Sequence, residues 1–402
     1  MRKLALCALL AALPLTASAV AAAQPPPAVQ PPLPAEDSFY RYDGALADIA
    51  PGAVLRTRQV SAALPGAATQ ALYRTTDQLG RPAVTAALIV RPPGAAGAPR
   101  LVSYQAAYDA LSSRCNPSYA TAFGPPGLDH AVLTAALAAG YSVVTADYEG
   151  TGLHYGAGHE SGYGTLDGIR AAEQVLDVAP GVTPVALLGF SGGGLATQFA
   201  AELAARYAPE LRIVGAVEGG LPVNFLHTID YIDGSPVWSK VLPLVLTGIS
   251  RGFEVDLTPY LSPYGTQIMA RAADLCALEA QALPVIEMRS LFAPEYADYH
   301  RFSPLTDMTG ALVMGTVGTP RFPMLIAFGI SDGIGDGVAL AEDQRSLART
   351  LCAGGAPVEV REYAGLDHVA AGLAALAAGM PYIADRFAGV PPVNTCVAPS
   401  GN

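Results

Sequence analysis

Short apolar runs alternate with helical patterns from about residue 83 onward. Helical patterns at 166–176, 193–207 and 340–352 separate several of these runs. Runs that are apolar throughout and are spaced by helices are typical of a parallel sheet covered by helices on both faces. The alternation therefore predicts an α/β fold. The strand candidates are residues 83–90, 100–105, 141–147, 184–190, 212–219, 323–329 and 357–364.

One part of the chain departs from this alternation. Residues 220–322 show helical and irregular patterns rich in Leu, Pro and Tyr, with no clear strand. This composition predicts a mostly helical cap inserted between two parts of one core. The two parts of the core are then residues 39–219 and 323–402.

The amino terminus has the pattern of a secretory signal peptide. Arg2 and Lys3 precede an apolar run at 4–15, and small residues then fit cleavage near residue 19 or 23. The run is shorter than the roughly 20 residues that a membrane span needs. We therefore expect export of the protein to the cell envelope or the medium, with removal of residues 1–23. The proline-rich stretch at 24–38 predicts an extended linker.

The net charge and the absence of metal-binding motifs exclude some classes of function. The net charge is −11 and only two lysines occur, so the chain offers no basic surface for nucleic acid. No H-x-x-E-H motif, C-x-x-C motif or carboxylate cluster occurs, so we expect neither metal nor cofactor.

Four cysteines follow the signal peptide, which suggests two disulfides in an exported protein but allows three pairings. They are Cys115, Cys276, Cys352 and Cys396.

The stretch LLGFSGGGL at 187–195 follows a predicted strand and opens a predicted helix. Its G-x-S-x-G pattern, centred on Ser191, is that of a nucleophile elbow, and the amide of Gly192 would face a developing oxyanion. A P-loop would need a nearby lysine, which is absent, and a dinucleotide fingerprint would need glycine at Thr197. A flexible glycine turn without chemistry is the remaining alternative.

A serine nucleophile needs a base, and three histidines follow Ser191. His227 and His300 fall in the predicted cap, where surface positions are expected. His368, in EYAGLDHVAAG, follows the last predicted core strand in a glycine-flanked loop. Because the base comes last in the chain order of such enzymes, we predict that His368 is the base.

The carboxylate that orients the base is expected after the strand at 323–329. The segment GISDGIGDGVAL offers Asp332 and Asp336. Asp332 lies closer to the end of the strand, whereas Asp336 lies near the next helix, where an N-cap role is ordinary. The prediction is therefore a triad of Ser191, Asp332 and His368, with Asp336 as the alternative acid.

The motifs together resemble the secretory lipases of the α/β-hydrolase superfamily, typified by fungal lipase A. The resemblance rests on residues 103–119, 146–172 and 189–197 and on the block at 323–368. It implies an α/β-hydrolase fold, with a mostly parallel central sheet flanked by helices and a helical cap at 220–322. One departure is the run from Gly333 to Gly337, where many members have apolar residues and a proline.

The resemblance also implies roles for residues that patterns alone do not assign. Asp109, in a Tyr-Asp-Ala context, would complete the oxyanion hole with Gly192. The donor would be its backbone amide or its protonated carboxyl group. The implied disulfides join Cys115 to Cys276 and Cys352 to Cys396.

The expected function is hydrolysis of acyl esters through an acyl-enzyme on Ser191, with triacylglycerols as the leading substrate. The apolar stretch SKVLPLVLTGI at 239–249 suits an acyl chain, or equally the core of the cap itself. The alternatives are a carboxylesterase or acyltransferase for non-lipid esters, and a non-catalytic secreted binding protein. We expect a small ester or lipid as the binding partner, transient contact with a lipid interface through the cap, and no obligate protein partner.

Overall fold

The computed structural model describes residues 31–95 and 97–396. The predicted signal peptide and the first part of the predicted linker lie outside these residues. Asp37, within the predicted linker, is buried. Its carboxylate accepts a hydrogen bond of 2.9 Å from the Phe39 N–H group and pairs with Arg58 at 2.6 Å. The chain therefore packs onto the fold before residue 39.

In the described part of the chain, nine strands form one sheet in the order β1-β2-β3-β5-β4-β6-β7-β8-β9. The strands β1, β2, β3 and β5 pair antiparallel, and every later pair from β5 to β9 is parallel. The sheet is thus mostly parallel, as predicted. The strands are β1 Val54–Val60, β2 Ala67–Thr76, β3 Pro82–Arg91, β4 Leu101–Gln105, β5 Ser142–Ala146, β6 Val185–Gly189, β7 Ile213–Glu218, β8 Met324–Ile330 and β9 Val358–Ala364.

Helices cover both faces of the sheet. Within residues 31–95 and 97–396, no helix has both the length and the apolar character that crossing a membrane requires. The α-helices are α1 Pro117–Phe123, α2 Leu128–Ala138, α3 Gly158–Val175, α4 Gly192–Tyr207, α5 Phe225–Ile232, α6 Leu242–Gly252, α7 Pro263–Ala272, α8 Ser303–Gly310, α9 Ala341–Ala353 and α10 His368–Ala388.

Alternation along each central strand divides the core between the two faces. In β6, Val185 and Leu187 pack in the cluster that contains the apolar residues of α3, α4 and α9. Ala186 and Leu188 pack in a second cluster with those of α2 and α10. Successive side chains of a strand point to opposite faces, so a strand covered on both faces must be apolar throughout. The prediction of a parallel sheet between two helical layers is confirmed.

The segment between β7 and β8 is helical. It contains α5 to α8 and six short 3-10 helices, and its only described β-type pairing is an isolated bridge between Leu261 and Phe292. We refer to residues 220–322 as the inserted segment. Its status as a separate cap domain remains a prediction.

Two disulfides join described residues, with the pairing that the resemblance implied. Cys115 of the core is joined to Cys276 of the inserted segment, and Cys352 of α9 is joined to Cys396 near the carboxyl terminus. Next to the first bond, Arg114 donates a hydrogen bond of 3.0 Å to the carbonyl of Asp274. The first bond therefore fastens the inserted segment to the core.

Candidate active site

The turn between β6 and α4 holds Ser191 in a rare backbone conformation. Its φ is 58°, in the region that residues other than glycine seldom adopt, and its N–H group donates to the Gly219 carbonyl at 2.9 Å. A Cβ atom on Gly189 would lie 2.5 Å from the carbonyl carbon of Gly193. One on Gly193 would lie 2.9 Å from that of Gln105. Strand, turn and helix are thus in contact, and only glycine fits beside the serine.

His368, the first residue of α10, connects the serine to a carboxylate. Its Nε2 atom lies 2.8 Å from Ser191 Oγ, and its Nδ1 atom lies 2.9 Å from Asp336 Oδ2. The residue is only 5% exposed, and its ring packs against those of Phe190 and Trp238. The structure therefore brings together a hydroxyl, an imidazole and a carboxylate in the order that nucleophilic catalysis requires.

The carboxylate beside the imidazole belongs to Asp336, so the prediction that Asp332 contacts His368 is wrong. Asp332 is exposed. It accepts hydrogen bonds from the Tyr231 hydroxyl at 2.7 Å and from the N–H groups of Ile334 and Gly335 at 2.8 Å. These partners hold Asp332 on the outer side of the loop, away from His368.

The path of the loop after β8 explains why Asp336, and not Asp332, contacts His368. The strand ends at Ile330, and the chain then turns back, with the Ser331 N–H group donating to the Gly335 carbonyl at 2.7 Å. The turn carries Asp332 outward and returns Asp336 to the end of the sheet, where it is 1% exposed. The Asp336 carbonyl also accepts from the His368 N–H group at 2.8 Å. Distance from the strand along the sequence was therefore a poor guide to distance in space.

Asp109 and Gly192 lie side by side next to Ser191. A Cβ atom on Gly192 would lie 2.6 Å from the carboxyl carbon of Asp109, and Asp109 has a φ of 44°. Burial raises the pKa of Asp109 to about 7, against the opposing effect of His368. Among the described residues, Asp109 Oδ1 has no hydrogen-bond partner. A neutral carboxyl group here has a proton available for a neighbouring oxygen atom.

The loop that carries Asp109 is held by the segment that follows β5. The Tyr148 hydroxyl donates to the Ala106 carbonyl at 2.6 Å, and the Glu149 N–H group donates to the Tyr108 hydroxyl at 2.7 Å. The Glu149 carboxyl group accepts from the Ala110 N–H group at 3.2 Å. Glu149 is a residue to which the sequence analysis gave no role.

Two spaces meet at Ser191, and they differ in size. The outer cleft has a volume of about 430 Å³, and the inner cavity has one of about 40 Å³. Residues that line the outer cleft include Leu128, Trp238, Leu278, His368, Val369 and Leu373. Residues that line the inner cavity include Gly192, Phe225, Ile229, Ile232, Leu242 and Val245.

The other two histidines that follow Ser191 in the chain pair with aspartates other than Asp336. His227 pairs with Asp343 at 3.0 Å, and His300 pairs with Asp230 at 3.0 Å. Both side chains are about half exposed, in accordance with the surface positions expected for them. His368 is therefore the histidine that the fold brings to Ser191.

Comparison with known proteins shows a likeness over nearly the whole chain. The family model described as secretory lipase matches residues 125–395. A probable inactive lipase of Mycobacterium tuberculosis (strain CDC 1551 / Oshkosh) is 33% identical over 390 aligned positions, covering 90% of this chain and 84% of that protein. Lipase A of Moesziomyces aphidis is 31% identical over 401 positions, covering 92% of this chain and 83% of that protein.

The fold is similar to that of a solved lipase. The crystal structure of Candida antarctica lipase A in its closed state superposes with a TM-score of 0.82 at 29% identity, covering 92% of this chain and 90% of that one. The region matched by the family model contains Ser191, Asp336 and His368.

Proposed function

Because the chain belongs to the secretory lipase family, we propose that it hydrolyses carboxylic esters through an acyl-enzyme on Ser191. The observation that carries the proposal is the hydrogen-bonded chain of Ser191, His368 and Asp336, with distances of 2.8 and 2.9 Å. It supplies a nucleophile, a general base and a carboxylate that orients the base.

Acylation begins when Ser191 Oγ attacks the ester carbonyl carbon and His368 Nε2 takes the serine proton. The Asp336 carboxylate accepts the Nδ1–H group, which fixes the tautomer of His368 and stabilises the imidazolium. The imidazolium then gives its proton to the alkoxy oxygen as the bond from the acyl carbon to that oxygen breaks. The alcohol leaves, and the acyl group remains on Ser191.

Two groups beside Ser191 are suited to stabilising the oxyanion. The Gly192 amide lies at the N-terminus of α4, where unpaired N–H groups and the helix dipole favour negative charge. Asp109 supplies the second donor, through its amide or its protonated carboxyl group. A donor of this kind contributes about 3 to 4 kcal/mol to the transition state.

Deacylation repeats the sequence with water as the nucleophile. His368 takes a proton from the water molecule, whose oxygen attacks the acyl carbon, and then returns the proton to Ser191 Oγ as the carboxylic acid leaves. An acyltransferase would use an alcohol in place of water at this step. Family membership favours lipid esters, including triacylglycerols, as substrates.

Export is part of the proposal. Disulfides form and persist in oxidising compartments, and the described chain contains two. We expect cleavage near residue 19 or 23. Mass spectrometry of the mature amino terminus, with protein recovered from outside the cytoplasm, tests this expectation.

Labelling with a fluorophosphonate tests the catalytic proposal. We expect covalent labelling of the purified protein, together with ester hydrolysis, and loss of both in Ser191→Ala. The similarity to a protein described as a probable inactive lipase makes a non-catalytic binding protein the second candidate. Folded protein that neither reacts with the probe nor hydrolyses any ester would support that candidate instead.

A further inference from the structure

We propose that the preferred substrate is a short-chain acyl ester of a large apolar alcohol. The inference rests on the proposed function, because it assigns the two halves of an ester to the two spaces at Ser191. Those spaces differ about tenfold in volume, with the outer cleft the larger. The assignment depends on which side of the serine receives the leaving group.

The position of His368 decides this orientation. The alkoxy oxygen must receive its proton from His368 Nε2, so the alcohol has to leave on the side of the imidazole. His368 lines the outer cleft, together with Val369, which follows it in α10. The inner cavity is lined by Gly192 and not by His368, whereas Asp109, the other candidate oxyanion donor, lines the outer cleft. The alcohol therefore occupies the outer cleft, and the acyl chain enters the inner cavity.

The inner cavity accepts only a short chain. The cavity has a volume of about 40 Å³, about a tenth of that of the outer cleft. Its walls are the buried side chains of Phe225, Ile229 and Ile232 from α5 and of Leu242 and Val245 from α6. Lengthening the cavity would require these packed side chains to move, which costs free energy in a dense core. A short acyl group is therefore the expected optimum.

The outer cleft suits a bulky apolar alcohol. Four large apolar side chains on its lining are more than half exposed: Leu128, Leu278, Val369 and Leu373. Leu278, at 88% exposure, lies in the inserted segment, and the other three belong to the core. Covering these side chains with an apolar alcohol removes apolar surface from water and favours binding.

Two aspartates line the outer cleft: Asp109, the candidate oxyanion donor, and Asp129, which already has a hydrogen-bond donor. Asp129 accepts a hydrogen bond of 2.7 Å from the Tyr104 hydroxyl. The apolar side chains of the cleft are therefore expected to dominate selection of the alcohol. Glycerol esters fit the arrangement when the acids are short, because the remaining diacylglycerol is then a compact apolar alcohol.

Two series of substrates test whether the acyl chain occupies the inner cavity and the alcohol occupies the outer cleft. The first varies the acyl chain of p-nitrophenyl esters from two to sixteen carbons, and the second varies the alkyl alcohol of acetate esters from ethyl to 2-(2-naphthyl)ethyl. We expect kcat/KM for the butyrate to exceed that for the dodecanoate by at least about tenfold. We also expect 2-(2-naphthyl)ethyl acetate to be a better substrate than ethyl acetate, whose alcohol is a leaving group of similar quality. A preference for long acyl chains would overturn the inference.

Two variants, one in each space, test which space determines the preference for the acyl chain and which determines the preference for the alcohol. Ile232→Ala enlarges the inner cavity and should raise the ratio of octanoate to butyrate kcat/KM by about tenfold. Leu373→Ala removes a side chain from the outer cleft. It should leave that ratio unchanged and lower the preference for 2-(2-naphthyl)ethyl acetate over ethyl acetate. Circular dichroism checks folding, and Val245→Ala replaces Ile232→Ala if the latter does not fold.

The outcomes separate this inference from the proposed function. Ser191-dependent hydrolysis with a long-chain optimum, or with a chain-length profile that Ile232→Ala and Val245→Ala leave unchanged in folded protein, would overturn the inference alone. Absence of Ser191-dependent hydrolysis in both series, together with absence of fluorophosphonate labelling, would overturn the proposed function.

Discussion

The two carboxylate oxygens of Asp336 have different partners. Oδ2 lies 2.9 Å from His368 Nδ1, and Oδ1 accepts from the N–H groups of Val338 and Ala339 at 2.9 and 2.7 Å. The turn that follows the aspartate therefore fixes the carboxylate that holds the imidazole. The N-cap role expected for Asp336 is not observed, because the N-cap of α9 is Leu340; Asp336 instead takes the place beside His368 that was predicted for Asp332.

The contact of His368 with Asp336, in place of the predicted contact with Asp332, leads to a direct prediction. Asp336→Asn should lower kcat for p-nitrophenyl butyrate by about 10³–10⁴-fold, because an amide stabilises the wrong tautomer of His368. Asp332→Asn should leave kcat near that of the wild type, because Asp332 contacts Tyr231 and its own turn. Initial rates at saturating substrate measure both effects. Equal losses in the two variants would contradict the assignment.

The burial of Asp109 predicts a pH dependence. Burial raises its pKa to about 7, so the carboxyl group is mostly neutral below that pH and mostly ionised above it. A carboxylate beside the developing oxyanion raises the barrier, and a neutral carboxyl group does not. We therefore expect kcat/KM to fall as the pH rises through about 7.

Asp109→Asn provides the control for this pH profile. Asparagine has nearly the same size, tolerates a φ of 44° and cannot ionise. The alkaline fall in kcat/KM should disappear in the variant while hydrolysis continues. A fall that persists unchanged in Asp109→Asn would assign the titration to another group.

The residues of the site differ in how far the sequence could predict them. Ser191 lies in a local motif whose glycines are required by contacts within a few residues, and His368 follows from chain order. Choosing between Asp332 and Asp336 needed the path of a loop, which is set by hydrogen bonds that a sequence pattern does not reveal. Glu149 was missed because its role depends on a contact with a loop 39 residues away in the chain.

At the scale of secondary-structure elements, the buried strands were predictable and the polar ones were not. The seven apolar runs all became strands, with ends shifted by at most one residue. The strand β1 was missed because none of its residues is fully buried, and β2 was missed because it buries polar side chains among its apolar ones. Gln70, for example, is fully buried and donates to the Ser118 carbonyl at 2.6 Å. Such pairing through side chains removes the apolar periodicity on which the prediction depended.

Helix boundaries show the same influence of tertiary contacts. The predicted helix at 166–176 begins earlier, at Gly158, in a glycine-rich stretch of low intrinsic helix propensity. A Cβ atom on Gly158 would lie 2.5 Å from a ring carbon of Phe199, and one on Gly162 would lie 2.8 Å from the Leu203 side chain. The glycines allow α3 and α4 to pack closely, and that packing outweighs propensity.

The loop between β4 and α1 gives a prediction about positioning. Burial first, and then the charge of Asp109, raise the pKa of Glu149 well above its ordinary range. Glu149→Gln keeps an acceptor for the Ala110 N–H group and should retain activity. Glu149→Leu removes the acceptor and should lower kcat by up to about a hundredfold, with little change in KM, because the oxyanion donors shift.

The comparison of kcat with KM distinguishes positioning from simple loss of stability. A purely structural role for Glu149 would lower the melting temperature of the leucine variant and leave kcat per folded molecule unchanged. Active-site titration with a fluorophosphonate counts the folded, reactive molecules, so that kcat can be expressed per site. Failure of Glu149→Gln to restore kcat would contradict the role of the hydrogen bond to Ala110.

At the scale of the whole molecule, the inserted segment and the core are joined next to the candidate oxyanion site. The Leu111 N–H group, two residues after Asp109, donates to the Leu275 carbonyl of the inserted segment at 2.8 Å. The Cys115–Cys276 disulfide lies beside this contact. The inserted segment thus helps to hold the loop that carries Asp109, in addition to forming the wall of the inner cavity.

The two disulfides are therefore expected to differ in their effect on catalysis. Replacing both Cys115 and Cys276 by serine should lower the free energy of unfolding by about 2–5 kcal/mol and also lower kcat/KM, because the loop loses its fastening. The equivalent replacement of Cys352 and Cys396 should lower stability by a similar amount and leave kcat/KM unchanged at temperatures where the protein is folded. Denaturant unfolding and titrated kinetics on the two double variants measure both quantities. Equal losses of kcat/KM would mean that the disulfides act through stability alone, whereas a selective loss would make the inserted segment part of the catalytic framework.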